Sequence, residues 1–187
     1  MARMVPAGTV DHGSAEQTQA AAAIAVEPGT RLLVFRQAMP ERELVIAYTE
    51  SREGSTVAGA ELVFSAEPPG FARGDVYAFA APIVPGKTGR WLEFAHEISG
   101  PRRADLIEQR KRLGLKETIF LQRDSRGDLV IPVIEGERPW EEDQRIAEST
   151  HPFDRWFIDN IVELHGIDFS APPPPRNELL LEWPARA

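Results

Sequence analysis

V-F-R-Q-A-M-P-E-R-E-L-V-I, from Val34 to Ile46, and I-F-L-Q-R-D-S-R-G-D-L-V-I, from Ile119 to Ile131, are one phrase written twice, 85 residues apart. Val34 meets Ile119, Phe35 meets Phe120 and Gln37 meets Gln122. After a polar turn, Glu43-Leu44-Val45-Ile46 meets Asp128-Leu129-Val130-Ile131. Two apolar runs joined by turn residues read as a β-hairpin. The match extends to Gly29 with Gly114 and to Glu50 with Glu135. Upstream, Val5-Pro6 and Thr9 meet Val84-Pro85 and Thr88, and downstream Glu61-Leu62 meets Glu178-Leu179. The spacing changes between these blocks, as insertions in loops and helices require. Three matched blocks in one order predict a fold unit present in two copies.

The second copy reads more completely. Asp75 to Val84 alternates as a strand, and Pro85-Gly86-Lys87 turns the chain. Thr88 can cap a helix with the apolar face Trp91, Phe94, Ala95 and Ile98. Ser99-Gly100-Pro101 interrupts it, and the renewed helix stops at Gly114. A hairpin turns at Ser125-Arg126-Gly127, and a short helix covers Pro139 to Ser149. Next, Thr150 or His151 sits near the cap and Pro152 in the first turn of a helix with Phe153, Trp156, Phe157, Asn160, Ile161 and Leu164 at helical spacing, stopped by Gly166. After Ala171-Pro172-Pro173-Pro174-Pro175, Glu178 to Trp183 is the last strand. The order is strand, helix, strand, strand, helix, strand.

The first copy is shorter. Met1 to Val5 is its first strand, Ser14 to Val26 its helix, Leu32 to Thr49 its hairpin and Glu61 to Phe64 its last strand. Only Glu50 to Ala60 separates hairpin from last strand, so most of a second helix is missing. The expected organisation is a truncated unit over 1–68, a linker over 69–74 and a complete unit over 75–187.

Strand-helix-strand-strand-helix-strand is the ferredoxin-like unit. The P-G-K turn into a long helix, the Gly that ends it and the hairpin beyond resemble the dimeric α/β-barrel superfamily. That superfamily includes the antibiotic biosynthesis monooxygenase-like proteins. The segments P-F-D-R-W-F and L-H-G-I-D are similar to a bacterial branch of the group. The resemblance implies an α+β chain with two ferredoxin-like units in tandem, closed into an intrachain α/β barrel. It also implies a small-molecule enzyme: cofactor-free oxygenation or cyclisation of an aromatic or polyketide-like substrate. The alternative is a barrel that binds a small ligand without turnover, or serves only structure or interaction. Fold analogy alone separates these.

Composition narrows the partners. A net charge of -8 argues against nucleic acid, whose phosphates call for a basic footprint. No cysteine is present, which removes disulfides and thiolate chemistry. No apolar run approaches the ~20 residues of a membrane helix, and M-A-R-M-V-P-A-G, from Met1 to Gly8, lacks the long apolar core expected of a secretory signal. The expected setting is the cytoplasm, the expected partner a small apolar or aromatic ligand, and no cofactor is called for.

Glu93/His96 and Glu148/His151 match the Glu-x-x-His spacing of di-metal sites. The further carboxylates of such a site are not evident, so no metal is assigned. His96 lies beside the Trp91-Phe94-Ala95-Ile98 stripe and is the candidate general base. The competing reading is a partly exposed boundary histidine. His165 precedes a helix-stopping glycine and reads as a capping residue. Tyr77, Trp91, Arg103, Phe120 and Trp156 are the candidate substrate-binding residues. Core packing explains the aromatics equally well, and Asp105 or Glu108 would pair the arginine. In the first hairpin, Leu33, Phe35, Leu44, Ile46 and Tyr48 form the more apolar face, expected inside the barrel. Val34, Arg36, Val45 and Ala47 form the other, where thin cover suggests either a groove or a contact with a second molecule, such as a homodimer contact.

Overall fold

The computed structural model describes residues 29–184. The strand and helix expected over Met1 to Val26 lie outside them. Nine strands and four helices follow in order. They are β1 (Arg31–Ala38), β2 (Glu43–Ser51), β3 (Gly54–Val57), β4 (Glu61–Ala66), β5 (Asp75–Ala78) and β6 (Ala81–Pro82). Then come α1 (Thr88–Ser99), α2 (Arg103–Leu113), β7 (Leu115–Gln122) and β8 (Leu129–Gly136). A 3-10 turn over Pro139–Glu141 leads into α3 (Glu142–Ala147), α4 (Pro152–His165) and β9 (Glu178–Trp183).

The repeated phrase forms two antiparallel hairpins of identical register. Phe35 pairs with Ile46 and Gln37 with Leu44 in the first. Phe120 pairs with Ile131 and Gln122 with Leu129 in the second. Burial alternates along β2, with Leu44, Ile46 and Tyr48 inside. Leu33, Phe35 and also Val34 are buried in β1, whereas Arg36 is exposed and Val45 and Ala47 are half-buried.

The tandem ferredoxin-like barrel is corrected by the strand order. The strands form two open sheets, β3-β2-β1-β9 and β4-β7-β8-β5, with β6 on the edge of β8. β9, read as the last strand of the second copy, instead pairs with β1, Leu32 opposite Trp183 and Val34 opposite Leu181. β4, read as the last strand of the first copy, lies beside β7. The neighbour of β2 is β3, which follows it through a tight turn, whereas the neighbour of β8 is β5, which precedes it. The two sheets therefore differ in connectivity, and neither closes. The likeness to the dimeric α/β-barrel superfamily and its antibiotic biosynthesis monooxygenase-like members is set aside with the barrel. Two compact units result, one holding residues 29–62 and 176–184, the other Val63–Pro175.

The Val63–Pro175 unit packs α1, α2, α3 and α4 on one face of its sheet. Trp91, Phe94, Ala95 and Ile98 of α1 join Phe153, Phe157, Ile158 and Leu164 of α4 over Ile119, Leu121 and Val130. Gly114 and Gly166 end α2 and α4 with φ of 69° and 66°, the left-handed stop that side chains disfavour. The expected single strand over Asp75 to Val84 is broken between Ala78 and Ala81. Pro132 of β8 is the physical reason. Phe79 N–H donates to the Pro132 carbonyl at 3.3 Å, but proline has no N–H to return. The ladder opens at that pair and resumes at Ala81 opposite Val130. No helix among the described residues is long and apolar enough to cross a membrane.

Candidate functional site

The break in the β5–β6 edge opens onto a cavity inside the Val63–Pro175 unit. Phe79, Ala81 and Pro132 line it at the break, Ile119 and Val130 from the sheet, and Trp91, Phe94, Ala95 and Ile98 from α1. Phe157 and Ile161 of α4 complete the apolar wall. The cavity offers about 50 Å³ to the centres of water molecules and is partly open to solvent. That is room for about four waters, or for a small apolar group.

Four titratable side chains interrupt the apolar lining: Glu117, Glu142, Asp143 and His165. Glu117 stands on β7 in phase with Ile119 and Leu121, so the strand alternation turns it toward the helices. Glu142 and Asp143 open α3. Behind them lies Arg110 of α2, fully buried. Its Nη1 donates to Glu142 Oε1, and its Nη2 lies 2.9 Å from Glu117 Oε2. Its guanidinium carbon is 5.4 Å from the Phe157 ring centre. Burial pushes the Glu117 carboxyl above its ordinary value, against the pull of Arg110. Burial, reinforced by the charge of Glu117 and opposed by Arg110, raises Asp143 to about 6. His165 Nδ1–H donates to the Pro82 carbonyl at 2.9 Å, and burial lowers its pKa. Burial outweighs the opposing effect of the Pro82 bond, which favours the charged ring, and the imidazole is kept neutral near pH 7.

The residues marked from sequence are dispersed. Trp91 is in the cavity wall. Phe120 is buried on β7 but, one residue out of phase with Ile119, faces the opposite side of the sheet. Tyr77 is half-buried on β5, its ring 5.9 Å from that of Phe79. Trp156 is half-buried outside the cavity. It packs against Phe94 and Phe153, and the Arg102 guanidinium carbon is 3.9 Å from its ring. Arg103 Nη2 donates to the Ser65 carbonyl at the surface. His96 is exposed on α1 together with Glu93. His151 caps α4, its Nδ1 accepting from Phe153 N–H. Among the described residues no group of three or more His, Asp or Glu side chains is arranged to hold a metal ion.

The cavity thus combines aromatic walls with desolvated acids. Such a site can hold an apolar body, accept hydrogen bonds at one end and, through Asp143, exchange a proton near neutral pH. Comparison with protein-family models, curated proteins and solved structures finds no significant match to this chain.

Proposed function

We propose that the Val63–Pro175 unit binds a small, mainly apolar molecule in this cavity. The observation that carries the reading is the closure of an aromatic wall onto Asp143 and onto two carboxylates, Glu117 and Glu142, that pair with one buried arginine. Apolar concavities with a few convergent polar groups of shifted pKa are the usual form of a ligand site. The proposed setting is the cytoplasm, as composition suggests. A second reading, acid–base turnover such as a cyclisation, draws on Asp143, whose pKa of about 6 suits a general acid or base.

The binding reading is tested by NMR titration of the full chain with xenon and with apolar molecules of up to about four heavy atoms, following the Ala95 methyl and the Trp91 indole. Saturable shifts at both are expected, and Ala95→Leu, which fills the space, is expected to abolish them while keeping the thermal melt. Shifts confined to the exposed Trp183 would defeat the reading. Turnover is tested by recovering the ligand after incubation and measuring its mass and structure. An unchanged ligand removes the second reading and leaves the first.

A further inference from the structure

We propose that the proline run at 172–175, between α4 and β9, is a docking segment for a separate protein domain whose groove is lined with aromatic side chains. It is independent of the cavity.

The conformation follows from the residues. Each proline fixes its own φ near about −65°, and each residue before a proline is held out of the helical region. Ala171, Pro172, Pro173 and Pro174 all precede a proline. Pro172, Pro173 and Pro174 are therefore constrained twice. The run is a polyproline II helix, with about three residues per turn and a rise of about 3.1 Å. Pro172 and Pro175 then share one edge, about 9 Å apart.

The fold displays this run and does not pack it. Every residue from Ala171 to Arg176 is exposed, and none of the four prolines joins the core of the Val63–Pro175 unit. Among the described residues no hydrogen bond reaches a carbonyl from Pro172 to Pro175. Both ends are tied down. On one side Ser170 donates to Asp168 Oδ1 through its N–H at 2.9 Å and its Oγ at 2.6 Å. Ala171 N–H donates to the Asp168 carbonyl at 3.2 Å. On the other side Asn177 Nδ2 donates to Gln37 Oε1 at 3.1 Å, and Glu178 pairs with Arg36. What stands bare is a ridge of pyrrolidine rings with open carbonyl acceptors. Aromatic rings fit against such a ridge, and Trp N–H and Tyr O–H groups supply the donors its carbonyls take. The prolines and the two anchors have already ordered the segment, so little further freedom is lost on binding.

Three domains that read proline helices through aromatic grooves, a WW, an SH3 and a profilin-type domain, are titrated into the isotope-labelled full chain and followed by NMR. At least one should give saturable shifts at the amides of Ala171 and Arg176, which flank prolines that have no N–H of their own. Pro173→Ser together with Pro174→Ser should weaken that binding at least about tenfold and leave the thermal melt unchanged. Should the double variant melt early, Pro173→Ser alone carries the comparison. Binding by none of the three domains marks the run as a stiff spacer and overturns the proposal. Binding that survives the substitutions, or shifts confined to other segments, overturns it as well.

Discussion

Asp143 is where a single atom pair has a visible thermodynamic consequence. Its pKa rises from 3.8 to about 6 on folding, so the folded chain holds that proton more tightly than the unfolded one. Stability from this group is therefore fully present below pH ~4 and is lost as pH rises toward 6. Glu117 is shifted in the same direction and adds to the decline. Asp143→Asn should remove most of this slope. Relative to the parent, the variant should gain stability between pH 4.5 and 7.5, with a ceiling of about 3 kcal/mol from the full shift. Thermal melts of both proteins across that range check it, and parallel curves would show that the carboxyl is not desolvated. The acids were legible in principle. Glu117 falls in phase with Ile119 and Leu121, and Arg110 lies four residues from the buried Leu106. A charge on an apolar phase is a signal, but α2 is so rich in charge that it presents no apolar stripe against which Arg110 stands out.

At the scale of elements, Asp154 fastens α4 to α2. The residue is 1% exposed and receives both Arg112 Nη atoms, at 2.8 and 3.1 Å, and Gln109 Nε2 at 2.8 Å. Ser149 Oγ donates to it from the preceding loop. These donors hold its carboxyl below the usual carboxylate range despite the opposing effect of burial. The sign is opposite to that of Asp143: this stability is present above pH ~4 and is lost on acidification below it. Asp154→Ala leaves Gln109 and Arg112 without their acceptor and should cost about 3–5 kcal/mol, measured by urea unfolding at pH 7. A loss under 1 kcal/mol would show that water replaces the carboxylate. Helix ends were readable because Gly114, Gly166 and Pro152 act locally. The break after Ala78 was not, because its cause, Pro132, lies on another strand. β3 was also missed, since Gly54–Val57 is too short to show alternation within a polar loop.

At the scale of the whole molecule, the repeated phrase gave correct hairpins and an incorrect assembly. Register within a hairpin follows from its turn and its alternation, both local. Which further strand takes an edge is decided by chain reach and by what each edge offers, and no residue of Glu178–Trp183 states its partner. β9 is the consequence. It travels to β1 and anchors there by Arg31 Nη2 to Glu182 Oε1 at 2.8 Å and by a second ion pair, Arg36 with Glu178. Removing residues 176–187 should expose the whole outer edge of β1, including the backbone of Leu32, Leu33 and Val34, whose side chains are at most 1% exposed in the intact chain. An uncovered, apolar edge invites pairing with another chain. The truncated protein should exchange amide hydrogens faster over Arg31–Ala38 and Glu43–Ser51 while Leu115–Gln122 stays protected, and it should aggregate at lower temperature. Hydrogen–deuterium exchange with mass spectrometry resolves these segments. Unchanged protection in β1 would mean that the edge does not depend on β9, and loss of protection first in β7 would place the strand's stabilising role in the other sheet.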